Sequence, residues 1–255
     1  MFIRKTLLTA IVVSLVLLSV AGISFSAKAQ ALTKDEALTL LKELAPDIKI
    51  VEIRESVVDG LWEVGVESGG KKAIVYIDSS RKYMVQGSIF DFKSKTNLTQ
   101  ERFNEFNKVD ISLIPLDDAI VMGDKGAANR IIIFTDPDCP YCGKLHQEVK
   151  KVLEKRKDIV FFIKMFPLKT HPGAYDKAKA IVCEKSSALL DDVFEKKSSP
   201  KPGCETTAID ETLKLGEKIG ITGTPAIILQ NGILIPGYKD ADSLIAVIDK
   251  YSGKK

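Results

Sequence analysis

No cysteine precedes position 139 and no histidine precedes position 146 in this 255-residue chain. Residues 1–29 contain no aspartate or glutamate, so the formal charge of +3 comes entirely from Arg4, Lys5 and Lys28. Beyond residue 29 the 34 remaining basic residues balance the 34 acidic ones. A neutral body argues against nucleic acid as a partner. After the first 29 residues no apolar run approaches the ~20 residues needed to span a bilayer. The four cysteines do not form two C-x-x-C knuckles, so they fit a four-cysteine zinc site poorly. Gly143, not histidine, follows the second cysteine of Cys139-Pro140-Tyr141-Cys142, which argues against attached c-type haem. The sequence therefore predicts no metal site and no dissociable cofactor.

What is present at the N-terminus is an export pattern. Arg4 and Lys5 precede an apolar core, Leu7 to Val20, and Ala27-Lys28-Ala29 forms an A-x-A cleavage site before Gln30. An uncleaved membrane anchor is the alternative. With no cysteine nearby, lipoprotein attachment is not suggested. Export places the four cysteines in a compartment that permits disulfides. Three pairings are possible; Cys139–Cys142 with Cys183–Cys204 is the simplest, and two free thiols at 183 and 204 are the alternative.

The central stretch runs from Phe134 to His146. The β-branched run Ile131 to Ile133 predicts a strand, and a helix-like segment follows Cys139. A C-x-x-C at such a junction reads as a redox dithiol. The first thiol falls at a helix N-terminus, where unpaired N–H groups and the positive dipole end favour an anion. Cys139 is therefore expected to have a depressed pKa and to be the nucleophile. Cys142, one turn on, is expected to resolve the mixed disulfide. Pro140 suits the first helical turn. Asp138 is expected to cap the helix, His146 to be packed or exposed, His171 to lie in a loop, and Lys164 and Lys169 to be solvated. A second motif, Gly223-Thr224-Pro225-Ala226, enters an apolar strand. In a thioredoxin-type layout a cis-proline loop faces the dithiol at this place.

Residues 30–92 contain no cysteine, histidine or catalytic carboxylate pair. Thr33 and Glu36 form a capping box before a helix that Pro46 ends. Strands are expected at Ile48 to Glu55, Leu61 to Glu67, Ala73 to Ile77 and Tyr83 to Ile89, with Trp62 in the core. Such a small unit has a marginal core, and pairing through a strand edge would relieve that. Residues 93–116 read as a spacer with a short helix capped by Thr99. Residues 117–255 read as an α/β domain, with the hairpin signal Asn231-Gly232 between two apolar runs.

Taken together, Phe134-Thr135-Asp136, Cys139-Pro140-Tyr141-Cys142, Lys144-Leu145-His146, Gly223-Thr224-Pro225-Ala226 and Asn231-Gly232 with Pro236-Gly237-Tyr238 resemble the periplasmic thiol:disulfide isomerases of the DsbC/DsbG family. The resemblance implies an α+β N-terminal dimerisation domain followed by an α/β thioredoxin-like domain with a helical insertion. It implies a V-shaped homodimer with an apolar cleft, with Gln86-Gly87-Ser88 near the strand edge that pairs. It also implies a structural Cys183–Cys204 disulfide, substrate backbone held by Thr224 and Pro225 beside Cys139, and a membrane thiol reductase of the DsbD type as electron donor. The substrates implied are exported proteins with wrong disulfides. The dipeptide Pro140-Tyr141 is of the DsbG type, whereas DsbC-type members have glycine first. Isomerase, reductase of sulfenylated cysteines and holdase chaperone with secondary redox activity are thus all compatible with the motifs. A net oxidase fits less well, because of the extra N-terminal segment.

Overall fold

The computed structural model describes residues 31–198 and 200–252; the export signal expected over residues 1–29 lies outside them. The first described helix, α1 (Lys34–Lys42), starts with a capping box. The Thr33 hydroxyl accepts from the Glu36 N–H, and the Glu36 carboxylate accepts from the Thr33 N–H at 2.9 Å. Strands β1 (Lys49–Glu55), β2 (Leu61–Ser68), β3 (Lys71–Asp78) and β4 (Met84–Val85) follow as an antiparallel sheet in that order. Trp62, Val64 and Val66 share one face and pack with Ala37 and Leu41 of α1. The strand expected over Tyr83 to Ile89 shrinks to two residues, Met84 and Val85, in register with Ile77 and Tyr76 of β3.

The other face of this sheet meets the connecting segment. A two-stranded ribbon, β5 (Phe90–Asp91) and β6 (Thr96–Asn97), leads into α2 (Leu98–Phe106). Asn97, not Thr99, caps α2 by accepting from the Gln100 N–H. Thr99 is instead buried, with its hydroxyl 2.5 Å from that of Tyr76 and accepting from the Ile89 N–H. Arg102 of α2 reaches Glu63 and Glu52, and the Phe106 ring lies against Gly65. A methyl group at Gly65 would meet that ring at 3.0 Å, so the helix approaches this closely only over glycine.

The second sheet has five strands: β7 (Ile120–Gly123), β8 (Asn129–Thr135), β9 (Ile159–Met165), β10 (Ala226–Ile228) and β11 (Leu234–Pro236), ordered β11-β10-β8-β9-β7. Only β8 and β9 are parallel, joined by α3 (Pro140–Lys155), as a parallel pair requires a crossover. Four more helices follow β9: α4 (Ala174–Glu184), α5 (Ser187–Phe194), α6 (Ala208–Lys218) and, after β11, α7 (Ala241–Ser252). Strand β8 divides its side chains between two cores. Ile131 and Ile133 join the helical layer containing Leu145, Ile181 and Leu244, and Ile132 and Phe134 join Phe162, Phe166 and Ile221. Both faces are thus covered, which explains the continuous apolar run.

Lys164 departs from expectation. It is 1% exposed on β9, with its ammonium on the Asp118 carboxylate and 2.9 Å from the Pro115 carbonyl. Asp118 in turn accepts from the Thr212 hydroxyl at 3.2 Å. Flanked by Ile163 and Met165 in a buried strand, a lysine needs such a partner to stay inside.

Candidate active site

Strand pairing brings the two sequence motifs together. Ala226 of β10 lies opposite Phe134 of β8, so the loop before β10 abuts the loop after β8. The Thr224–Pro225 peptide bond in that loop is cis. The Cys139 thiol points to it and donates to the Thr224 carbonyl at 3.5 Å. Pro225 is held from behind by the Gly237 N–H, which donates to its carbonyl at 2.8 Å.

Cys139 is itself the N-cap residue of α3, with extended backbone (φ −78°, ψ 121°) and Pro140 in the first turn. Its carbonyl accepts from the N–H groups of Cys142 and Gly143 at 3.0 and 3.2 Å. No side chain caps the helix, which corrects the role expected for Asp138. The Asp138 carboxylate is turned away to the Lys177 ammonium of α4, 2.5 Å distant. Its neighbour Asp136 fastens the loop instead. Completely buried, it accepts from the N–H groups of Asp138 and Leu168, both at 2.7 Å, and lies 2.8 Å from His171 Nδ1. The charge of this carboxylate is thus met by donors from two loops. Nothing in the local pattern around either residue announces this pairing, since 35 positions separate Asp136 from His171.

The two thiols are not bonded to each other and differ in setting. Cys139 lines an open groove of about 800 Å³. Cys142 is 1% exposed, and its Sγ accepts from the Asp136 N–H at 3.4 Å. Burial pushes the Cys142 thiol up to about 12, against the opposing pull of the hydrogen bond from the Asp136 N–H. Tyr141 between them is exposed, with the Lys144 ammonium 5.4 Å from its ring centre.

His146 faces inward from α3. Its Nε2 is 2.5 Å from Asp191 of α5, and its ring lies 5.0 Å from that of Phe194. Burial lowers its pKa despite the hydrogen bond to Asp191. Asp191 also takes the Lys150 ammonium at 2.9 Å. This pairing braces α3 against the helical insertion. Within the insertion, Cys183 and Cys204 form a disulfide with Cα atoms 5.7 Å apart, tying the end of α4 to the segment before α6. Among the described residues no group of three or more His, Cys, Asp or Glu is placed to hold a metal ion, and no helix is long and apolar enough to cross a membrane.

Comparison with known proteins adds a lineage to this geometry. Residues 116–252 match the profile of a thioredoxin-like domain, and residues 26–100 that of the disulfide bond isomerase protein N-terminal domain. The thiol:disulfide interchange protein DsbC of Escherichia coli (strain K12) is 29% identical over 233 residues, 89% of this chain and 92% of that protein. A probable thiol:disulfide interchange protein DsbC of Bordetella avium (strain 197N) is 28% identical over 192 residues, 75% of this chain and 66% of that protein. Among solved structures, a disulfide interchange protein from Neisseria gonorrhoeae is 31% identical, with a TM-score of 0.48, covering 55% of this chain and 99% of that one.

Proposed function

From the premise that this chain belongs to the thioredoxin-like family and is a DsbC/DsbG-type thiol:disulfide oxidoreductase, we propose that it isomerises wrong disulfides in exported proteins in the periplasm. Cys139 is the nucleophile. Its thiolate, the nucleophilic form of the group, attacks one sulfur of a substrate disulfide. A Cys139–substrate bond forms, the substrate S–S bond breaks, and the electron pair leaves with the other substrate sulfur. Thr224 and Pro225 hold the substrate backbone beside the reacting sulfur; the observation that carries this reading is the 3.5 Å contact of Cys139 Sγ with the Thr224 carbonyl.

Two exits then compete. A substrate thiolate can attack the mixed disulfide, forming a rearranged substrate and regenerating Cys139. Alternatively Cys142 attacks Cys139 and releases the substrate reduced. With its thiol pushed up to about 12, Cys142 presents little thiolate at neutral pH. Rate follows the thiolate fraction of the attacking group, so rearrangement is favoured over reductive release. The Cys183–Cys204 disulfide serves the fold of the insertion. Electrons for keeping Cys139 reduced come from a membrane thiol reductase of the DsbD type.

The proposed organisation is a signal peptide at 1–29, a dimerisation domain at 30–92, a helical linker at 93–116 and a catalytic domain at 117–255. Support for a homodimer comes from the free edge at β4, where Tyr83, Met84 and Val85 are exposed, and from exposed Phe90 and Phe92 nearby. Pairing would cover both an unpaired strand edge and apolar surface. The Pro140-Tyr141 dipeptide favours a second reading, a DsbG-like reductase of sulfenylated single cysteines.

The deciding experiment is recovery of activity from a scrambled-disulfide protein by the reduced wild type, Cys139→Ala and Cys142→Ala. Recovery that vanishes with Cys139→Ala supports the isomerase. Equal recovery by Cys139→Ala would make the protein a chaperone. No recovery by the wild type, alongside reduction of a sulfenylated protein, would favour the second reading.

A further inference from the structure

The groove that Cys139 lines is asymmetric in charge. Lysines approach it from three elements: Lys144 from α3, Lys177 from α4, and Lys196 and Lys197 from the turn after α5. Two of these charges are compensated, Lys177 by Asp138 and Lys197 by Glu195. Lys144 and Lys196 have no carboxylate partner among the described residues, and both are exposed. Of the two acids on α5, Asp191 is taken by His146 and Lys150, and Asp192 forms no ion pair with Lys144 or Lys196 among the described residues. The positive end of α3 opens into the same groove. Lys196 also occupies a left-handed backbone position (φ +59°) where its N–H closes the end of α5 on the Val193 carbonyl. Glycine is the usual residue at such a cap; here it carries a cation beside the site. The groove floor, formed by Val193 and Phe194, is apolar and gives an extended chain something to lie on.

Building on the isomerase reading above, we propose that this groove takes an acidic peptide segment flanking the substrate cysteine. Disulfides followed or preceded by aspartate and glutamate are then attacked faster than those in basic surroundings. The chemistry is the exchange already described. The lysines act before it, by raising the local concentration of anionic segments at Cys139, and they touch the substrate chain and not the reacting sulfurs. Charge-lined clefts raise association rates by about tenfold or more, and the effect falls with ionic strength.

The test uses the full-length reduced protein and three hairpin peptides with one disulfide each, alike except for flanking Glu, Gln or Lys residues. The second-order rate of thiol exchange is measured at low salt and at high salt. The acidic hairpin should react about tenfold faster than the basic one at low salt, with the ratio collapsing at high salt. The pair Lys144→Glu and Lys196→Glu should invert the ratio, and Lys144→Arg with Lys196→Arg should restore it. Equal rates for the three hairpins would overturn the inference while leaving the isomerase reading intact, as would a preference for the Gln hairpin, which would mark the groove as an apolar one. Failure to react with any hairpin, all of which dithiothreitol reduces, would overturn both. The salt dependence of the wild type stands as evidence even if the variants fold poorly.

Discussion

The Cys139 sulfur donates to the Thr224 carbonyl at 3.5 Å although 85 positions separate the two residues. The hydrogen bond exists because β10 lies beside β8, which sets the cis-proline loop over the N-terminus of α3. A substrate chain that enters must meet a backbone carbonyl as well as a thiol.

That geometry predicts unequal thiols. In the reduced protein at pH 8, iodoacetamide should label one cysteine per chain, mapped to Cys139 by peptide mass. Cys142, raised by burial to about 12, is on the order of one part in 10⁴ thiolate at that pH, and should react only after unfolding. Cys142→Ala should accumulate substrate mixed disulfides at Cys139, visible as a higher-mass adduct; rapid labelling of both thiols would contradict this picture.

Lys164 and Asp118 should behave as a coupled pair. Asp118→Ala strands a buried ammonium and should cost about 3 kcal/mol of stability in urea unfolding. Lys164→Met combined with Asp118→Ala removes both charges and should recover most of that loss. Additive losses in the double variant would mean the pair is not coupled.

The pairing of buried His146 with half-buried Asp191 predicts a pH dependence. Folding lowers the His146 pKa below its ordinary 6.5, chiefly through burial. The unfolded chain therefore binds the proton more readily, and the stability from neutral His146 is complete above about pH 6.5. It is lost as the pH falls from there through the folded value. His146→Gln should flatten the fall in thermal midpoint over that range; an unchanged slope would show that other groups carry it.

Removing the Cys183–Cys204 disulfide by paired alanine substitution should cost about 3 kcal/mol, the loop entropy for a sequence separation of 21. Denaturant unfolding with and without strong reductant checks this. Reductant should lower the wild-type midpoint and leave the variant unmoved.

Much of the molecule could be read from residue order alone, and the exceptions share a cause. The capping box at Thr33, the strand over Ile131 to Ile133 and the turn at Asn231-Gly232 depend on neighbours in sequence, and they appear where the pattern puts them. At the last of these, Gly232 adopts φ +85° and its N–H returns to the Leu229 carbonyl. Lys164 looked solvated because its partner Asp118 lies 46 positions away. Asp138 looked like a cap because the pull of Lys177, 39 positions on, has no local trace. Asp136 and His171, or His146 and Asp191, likewise meet only through the packing of separate elements. Thr99 lost its capping role to Asn97 because Tyr76 drew it inward. Motifs state which chemistry is present; which charges face it depends on contacts over long range.

Of the two buried thiols only Cys139 lines the groove, which gives the proposed catalyst a single terminal. On the mechanism proposed above, every electron pair that enters or leaves passes through the Cys139 sulfur, so a substrate and the proposed reductant cannot be served at once. The two half-reactions alternate, and each visitor excludes the other. At saturating amounts of both, adding more of either should slow turnover, making the enzyme a turnstile whose flow is greatest when its two queues are matched.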